Sequence, residues 1–171
     1  MIYTLLEPNH PLLHSPLPEI TADTEPENRK EILDNMIETM KHYGGIGLSA
    51  NQVGLALRMF VIGENKHYVP CFNPKILEYG GPDMPIEEGC LTYPGLFVKI
   101  YRPEWIIAEW EDENRKLHKD NFTGLQSRVF QHEYDHMKCI DFQSRAGKVS
   151  LDIAKRKLKK AMRKMKKMQE K

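Results

Sequence analysis

Two histidines four residues apart, with a glutamate beside the first, form the most chemically informative part of this chain. They lie in residues 131–136, which read QHEYDH. On an α-helix this spacing puts His132 and His136 on one face at neighbouring turns. Two imidazoles in that position can bind one divalent metal, and Glu133 can then take a proton from metal-bound water. The segment predicts a metallohydrolase site, although a solvated helix face with Glu133 or Asp135 in an ion pair would have the same spacing.

A third ligand is available in residues 88–92, which read EGCLT and are bounded by turn signals. A Cys90 thiolate together with two imidazoles leaves one tetrahedral position for water, which is typical of a catalytic site rather than a closed structural one. The alternative for a lone cysteine is a small buried apolar residue, and we expect that role for Cys71 and Cys139.

A glycine-rich segment lies upstream, where residues 45–52 read GIGLSANQ. Taken alone, it favours a tight turn followed by a stretch packed in the core. It has neither a phosphate-loop lysine nor the glycine spacing of a dinucleotide site, which argues against a nucleotide cradle.

Together and in this order, the three segments resemble the peptide deformylases. That family carries GφGφAAxQ, then EGCLS, then QHExDH, where φ is an apolar residue. This chain departs from the pattern at Ser49, where Ala is usual, and at Thr92, where Ser is usual. The resemblance covers Met1 to Arg145 and implies a hydrolase that removes the N-formyl group from the N-terminal methionine of newly made polypeptides.

The resemblance also implies a role for each matched residue. The implied metal ligands are Cys90, His132 and His136. Metal-bound water would attack the formyl carbonyl, with Glu133 as general base and then general acid. The side-chain amide of Gln52 and the backbone N–H of Leu91 would donate hydrogen bonds to the developing oxyanion. One divalent ion per chain is expected, Fe(II) in the native enzyme with Zn(II), Ni(II) or Co(II) as substitutes, since a site with one sulfur and two nitrogens suits all four.

The substrate would be an N-formyl-Met nascent peptide. The family-matched walls of its methionine pocket are Ile46, Ile86, Leu125 and Val129, although ordinary core positions would look the same in the sequence. The peptide would lie extended and bond to backbone near Gly47 and Gly89, like an added strand. Arg128 is expected at the mouth of the site, where it would meet peptide carbonyls or a carboxylate. Arg102 and Asp135 are expected to form a supporting ion pair.

Length and composition fit one catalytic domain. The chain has 171 residues, of which 40% are hydrophobic and 29% charged, as in ordinary globular proteins. No apolar run is long enough to span a bilayer, and the N-terminus lacks the pattern of a secretory signal. Three cysteines are few and cannot all pair, which favours a reducing compartment. We therefore expect a cytoplasmic protein without membrane insertion, and a monomer.

Hydrophobic periodicity predicts an α+β fold. A helix is expected after Pro26, with apolar residues at helical spacing over 33–40 and an end at Gly44-Gly45. The predicted strands are residues 57–62, 68–72, 75–79, 105–110 and 116–122. Gly80-Gly81-Pro82 is expected to end the third strand. The last two strands are expected to pair as a hairpin, and the motif helix is expected to span 124–138. Because helices and strands do not alternate regularly, we predict short antiparallel β-sheets packed around a central metal-binding helix, with an N-terminal helix and a C-terminal basic helix.

The end of the chain has a different charge from the rest. Residues 147–171 hold eleven Lys and Arg against two acids, a net charge of +9, so the remainder carries −8 of the total +1. We predict a catalytic domain at 1–146 and a basic amphipathic helix at 147–171, with Ser150 as N-cap and Asp152 in its first turn.

An apolar stripe runs along this predicted helix. Its members are Leu151, Ala154, Leu158, Ala161, Met165 and Met168. The stripe could pack on the catalytic domain, or the helix could dock on an RNA-rich surface, as in the related bacterial deformylases whose C-terminal helix contacts the ribosome. The sequence favours neither reading.

Two other functions remain open at this stage. A zinc endopeptidase would use the same helix but would normally take its third ligand from a His or Glu downstream. The downstream region offers Asp141, Asp152 and Glu170, and no His. A non-enzymatic RNA-binding module with a structural metal is the second alternative, and it rests on the basic tail.

Overall fold

The computed structural model describes residues 1–64 and 67–169, and five antiparallel strands in this part of the chain form a single sheet. Each strand lies beside the next one in sequence. The strands are β1 (Gly47–Ser49), β2 (Met59–Glu64), β3 (His67–Cys90), β4 (Tyr93–Glu111) and β5 (Leu117–Thr123). The helices are α1 (Arg29–His42), α2 (Gly124–Met137) and α3 (Lys148–Gln169). The predicted α+β class, with an N-terminal helix, a metal-motif helix and a basic C-terminal helix, is confirmed.

Strand β3 is longer than the sequence indicated. Its 24 residues run without interruption, so the predicted break at Gly80-Gly81-Pro82 is wrong. Gly81 has a φ of +77°, and the pairing with β4 shifts register between Gly80 and Asp83. The glycines therefore form a β-bulge, which bends a strand and increases its twist without ending it. The ring of Trp105 on β4 lies where a side chain at Gly80 would be.

The hairpin and the motif helix follow the prediction closely. β5 pairs with the end of β4 from Trp105 opposite Thr123 to Glu111 opposite Leu117. The helix expected over 124–138 is α2, one residue shorter.

Helix α1 begins later than Pro26 suggested. The side chain of Asn28 accepts a hydrogen bond from the backbone N–H of Glu31 and so caps the helix, whose first residue is Arg29. It ends at His42, and Gly44, with a φ of +71°, turns the chain towards β1.

Helix α2 lies against the sheet and contacts β1, β2, β4 and β5. Phe130 is fully buried at this contact. Its ring centroid lies 5.0 Å from that of Phe60 on β2 and 5.0 Å from that of Phe122 on β5. Aromatic pairs at this separation add to the free energy gained from burial alone. This packing fixes the helix that carries the QHEYDH segment.

Helix α3 packs on the body through its first half only. Leu151, Ala154 and Leu158 contact a small core cluster formed by β4 and the short 3-10 helix that follows α2. The cluster consists of Leu96, Val98, Ile100 and Phe142. From residue 159 to 168 every side chain is exposed, including Met165 at 62% and Met168 at 69%. The first part of the apolar stripe therefore packs on the catalytic domain, as one interpretation expected. The last part is exposed and is free to meet a partner, as the other interpretation requires.

The start of α3 differs from the prediction. The helix begins at Lys148, and the backbone N–H of Leu151 donates to the carbonyl of Gly147. Ser150 therefore lies inside the first turn and is not the N-cap. In the described ranges, no helix combines the length and apolar character that crossing a membrane would require.

The packing of α2 gives a stability prediction. Phe130→Ala should lower the free energy of unfolding by about 3 to 5 kcal/mol, because it empties a fully buried aromatic site. Met165→Ala, on the exposed half of α3, should change it by no more than about 0.5 kcal/mol. Urea unfolding followed by circular dichroism measures both. Equal losses for the two variants would contradict the packing described here.

Candidate metal centre and active site

The fold brings three metal-ligating side chains together in the protein interior. Cys90 ends β3, while His132 and His136 lie one turn apart on α2. Their ligand atoms all lie within 4.8 Å of one another, and Cys90 Sγ is 3.4 Å from His136 Nε2. Ligands that share a tetrahedral cation at ordinary bond lengths are about 3.5 Å apart. The spacing and the donor types therefore fit a divalent metal ion.

The surroundings of Cys90 favour the thiolate, which is the metal-binding form. Burial alone would raise the pKa of the thiol. The charge of His136 and hydrogen bonds from His132 and His136 outweigh burial and lower the pKa of Cys90 to about 6.

Glu88 orients one of the two histidines. Nδ1 of His132 lies 2.9 Å from Oε2 of Glu88 and donates to it, which leaves Nε2 free to act as a ligand. Sequence reasoning gave Glu88 no role. A usable signal was its position two residues before Cys90, because alternate residues of a strand share one face.

Two arginines extend this support. Arg102 on β4 donates from Nε to Glu88 Oε1 at 2.7 Å and from Nη1 to Asp135 Oδ2 at 2.7 Å. The ion pair expected between Arg102 and Asp135 is thus present, and it is buried. Arg145 adds a second contact to Asp135, at 2.6 Å. Burial would raise the pKa of Glu88, but hydrogen bonds from His132 and Arg102 hold it well below its usual range.

The structure corrects the position expected for Arg128. The residue is 4% exposed although it borders the pocket. Nη1 donates to Glu88 Oε1 at 2.9 Å and to the carbonyl of Ile100 at 3.1 Å, and Nη2 donates to the carbonyl of Met84. The buried carboxylate of Glu88 attracts this guanidinium inward, so Arg128 is buried in the pocket wall and not exposed at the mouth. Its contact with a peptide stays a prediction.

Gln52 and Glu133 lie beside the three ligands. Nε2 of Gln52 lies 3.4 Å from Cys90 Sγ and donates to Thr92 Oγ1 at 2.9 Å, while Oε1 accepts from the backbone N–H of Ser49. Oε2 of Glu133 accepts from the hydroxyl of Ser49 at 2.5 Å. The sequence identified Ser49 and Thr92 only as departures from a pattern, and it gave no hint of these contacts.

A pocket of about 590 Å³ opens next to these residues, a size that suits a small ligand. The predicted methionine-pocket residues Ile46, Ile86, Leu125 and Val129 all line it, as do Gly47, Gly89 and Leu91. Leu125 is 51% exposed, so the pocket opens to solvent on that side.

Gly47 and Gly89 in the pocket wall allow a close approach. A Cβ at Gly47 would lie 2.5 Å from Glu133 Oε1, and one at Gly89 would lie 2.7 Å from the ring of Phe97. A side chain at either position would therefore collide with its neighbour.

Comparison with known proteins identifies the family of this chain. A family model described as polypeptide deformylase matches residues 2–152. The chain belongs to the polypeptide deformylase family. It is 40% identical over 114 residues to the peptide deformylase of Thermotoga maritima, and the alignment covers 67% of this chain and 70% of that protein.

Solved structures of peptide deformylases have the same fold. The crystal structure of the enzyme from Thermotoga maritima matches with a TM-score of 0.81 at 35% identity, over 86% of this chain and 99% of that one. The enzyme from Legionella pneumophila matches with a TM-score of 0.84 at 29% identity, over 96% of this chain and 98% of that one. These matches confirm the resemblance inferred from the three segments and the assignment of the chain as a peptide deformylase, a hydrolase.

Peptide deformylases are metalloenzymes, and the Cys90, His132 and His136 cluster of this chain could bind a metal. Cys90→Ser should weaken metal binding strongly, because it replaces the thiolate by a hydroxyl that is a poor ligand at neutral pH. Cys139→Ser is the matched control and should retain full metal content. Elemental analysis after dialysis measures the metal content of both variants. Unchanged metal content in Cys90→Ser would show that the third ligand is a different residue.

The carboxylate behind His132 gives a second prediction. Glu88→Gln should reduce metal affinity about 10- to 100-fold, the usual effect of removing such a partner from a ligating histidine. Glu87→Gln changes the exposed neighbouring residue and should have no effect. Competition with a chelator measures the affinities, and thermal unfolding checks that Glu88→Gln is folded. Equal affinities for the two folded variants would contradict this role of Glu88.

Proposed function

We propose that this chain removes the N-formyl group from the N-terminal methionine of nascent polypeptides. The observation that carries the proposal is the convergence of three ligand atoms beside one pocket, whose wall includes Cys90, His132, the carboxylate of Glu133 and the amide of Gln52. Family membership supports the same reaction.

Cys90, His132 and His136 are the proposed ligands of one divalent ion. When bound, such an ion supplies a Lewis acid that lowers the pKa of water and polarises a carbonyl. One sulfur and two nitrogens suit Fe(II), Zn(II), Co(II) and Ni(II). We propose Fe(II) as the native metal, on the strength of the resemblance, with the others as substitutes.

Glu133 and Gln52 are the proposed catalytic side chains. Glu133 accepts a proton from the attacking water and later delivers it to the leaving amine. Nε2 of Gln52 donates to Thr92 Oγ1 at 2.9 Å and to Cys90 Sγ at 3.4 Å. The hydrogen directed at the sulfur is the one proposed to turn to the oxygen of the formyl group when substrate binds. The backbone N–H of Leu91 is the proposed second donor. A donor of this kind commonly lowers the transition-state free energy by about 3 kcal/mol.

The pocket determines the proposed substrate preference. Ile46, Ile86, Leu125 and Val129 form an apolar wall suited to a methionine side chain. Beyond the methionine, the peptide lies extended and bonds to backbone near Gly47 and Gly89, in the manner of an added strand. Because backbone supplies these bonds, we expect tolerance of the residues that follow methionine.

Formate release tests the proposal directly. Anaerobically prepared protein of known metal content is incubated with formyl-Met-Ala-Ser, with acetyl-Met-Ala-Ser and with a longer peptide that offers internal bonds. We expect formate from the first substrate and no reaction with the other two. Cleavage of internal bonds without formate release would instead favour an endopeptidase.

Glu133→Ala separates catalysis from metal binding. We expect it to retain bound metal and lose turnover, because proton transfer by a positioned side chain commonly contributes about 10²- to 10⁴-fold. Metal analysis and formate release on the same sample measure both effects. A folded variant with full turnover would remove the carboxylate from the mechanism, while loss of metal and of the folded state would assign it a structural role.

For the C-terminal segment, we propose a functional division into a catalytic part at 1–146 and a basic segment at 147–171 that docks on an RNA-rich surface such as the ribosome. Residues 170 and 171 of this segment lie outside the described residues. The support is the exposure of residues 159–168, where lysines and arginines surround Met162 and Met165. The monomeric state and the cytoplasmic location remain predictions of the sequence.

Charge reversal tests the docking. The variant carries Lys159→Glu, Lys160→Glu, Arg163→Glu and Lys164→Glu. It should lose salt-sensitive co-sedimentation with ribosomes and keep formate release from a free tripeptide. A control with reversals at Lys30, Lys41, Lys75 and Lys119 changes the net charge equally and should still co-sediment. If both variants co-sediment like the unmodified chain, the helix does not dock this way.

A further inference from the structure

Ser49 contacts both proposed catalytic side chains. Its backbone N–H donates to Gln52 Oε1 at 2.9 Å, and its hydroxyl donates to Glu133 Oε2 at 2.5 Å. The residue is fully buried at the junction of β1 and the short 3-10 helix that follows. The usual family residue at this position, alanine, could make the first contact but not the second.

We propose that the hydroxyl of Ser49 is a positioning group for Glu133, holding one carboxylate oxygen so that the other faces the reaction. The inference rests on the proposed role of Glu133 as general base. It assigns Ser49 no contact with the substrate.

The surroundings of Glu133 explain why such a group matters. The terminal torsion of a glutamate has a broad, roughly two-fold energy profile, so the carboxylate can rotate unless it is held. Oε2 is held by Ser49, and Oε1 lies against Gly47 in the pocket wall. A general base must stay within hydrogen-bond reach of the proton that it transfers. A carboxylate fixed at one oxygen presents the other in a constant position.

The hydroxyl has two further contacts that its removal also breaks. Ser49 and Gln52 form a capping box at the start of the 3-10 helix, and Ser49 Oγ lies 3.4 Å from the backbone carbonyl of Glu133. Ser49→Ala keeps the backbone N–H that bonds to Gln52 and adds no atoms. A second background is therefore needed to isolate the contact with the Glu133 carboxylate.

The test compares steady-state kinetics of the metal-loaded enzyme and four variants on formyl-Met-Ala-Ser. We expect Ser49→Ala to lower kcat about tenfold, the size expected from one hydrogen bond to a charged group, with KM within about twofold. Ser127→Ala is the matched control, since Ser127 is equally buried and accepts from Gln131 Nε2, away from Glu133. It should leave kcat unchanged. Metal content and thermal unfolding are measured for each variant.

A second background isolates the contact. Glu133→Asp retracts the carboxylate by one methylene, out of reach of the hydroxyl, so adding Ser49→Ala to it should change kcat by less than about twofold. An unchanged kcat in Ser49→Ala, a rise in KM alone, or an equal loss in both backgrounds would overturn the inference. Full turnover in Glu133→Ala would instead overturn the proposed function, so the two failures are distinguishable.

Discussion

The carboxylate of Glu88 is the interaction on which the site depends. It lies in the protein interior and contacts Arg102, Arg128 and His132, which belong to β4 and α2. A buried acid without partners would be protonated or would destabilise the fold, whereas one surrounded by donors stays ionised. Removing a partner from such a network commonly costs about 3 to 5 kcal/mol. One side chain of β3 therefore ties the sheet to the motif helix at the point where the ligands meet.

The end of β3 also supplies one of the three proposed metal ligands, and this helps to fix the relative positions of the ligands. Cys90 follows Glu88 on the same face of β3, so the proposed metal ligand and the residue that orients His132 move together. Arg102 then connects Glu88 to Asp135, one residue before His136. Both histidines are therefore positioned by charged side chains of β3 and β4, in addition to the packing of α2 on the sheet.

Much of this arrangement was readable in the sequence because local patterns determine it. The spacing of His132 and His136 requires a helix if both are to meet one ion, and the ending of that helix was correct within one residue. The pairing of Arg102 with Asp135 was also anticipated. What local patterns could not give was long-range context. Gly81 reads as a break in isolation, yet β4 lies alongside and the strand continues through a bulge.

Arg128 and Ser49 illustrate the same limit at the site. A basic residue near the start of a helix is ordinarily exposed, but the buried acid of Glu88 draws Arg128 inside. The hydroxyl of Ser49 meets Glu133 across 84 residues of chain, and no periodicity links two such distant positions. Local sequence patterns therefore indicate the groups proposed to perform the chemistry more readily than the groups that hold them.

The origin of the three ligands has a thermodynamic consequence. One comes from the last residue of a strand and two from a helix that begins more than thirty residues later. A cation bound to all three would cross-link the sheet to α2, much as a disulfide joins distant parts of a chain. Because the unfolded chain has no preformed arrangement of these atoms, the free energy of metal binding adds to that of folding. Chelators should therefore act on this protein as mild denaturants as well as inhibitors.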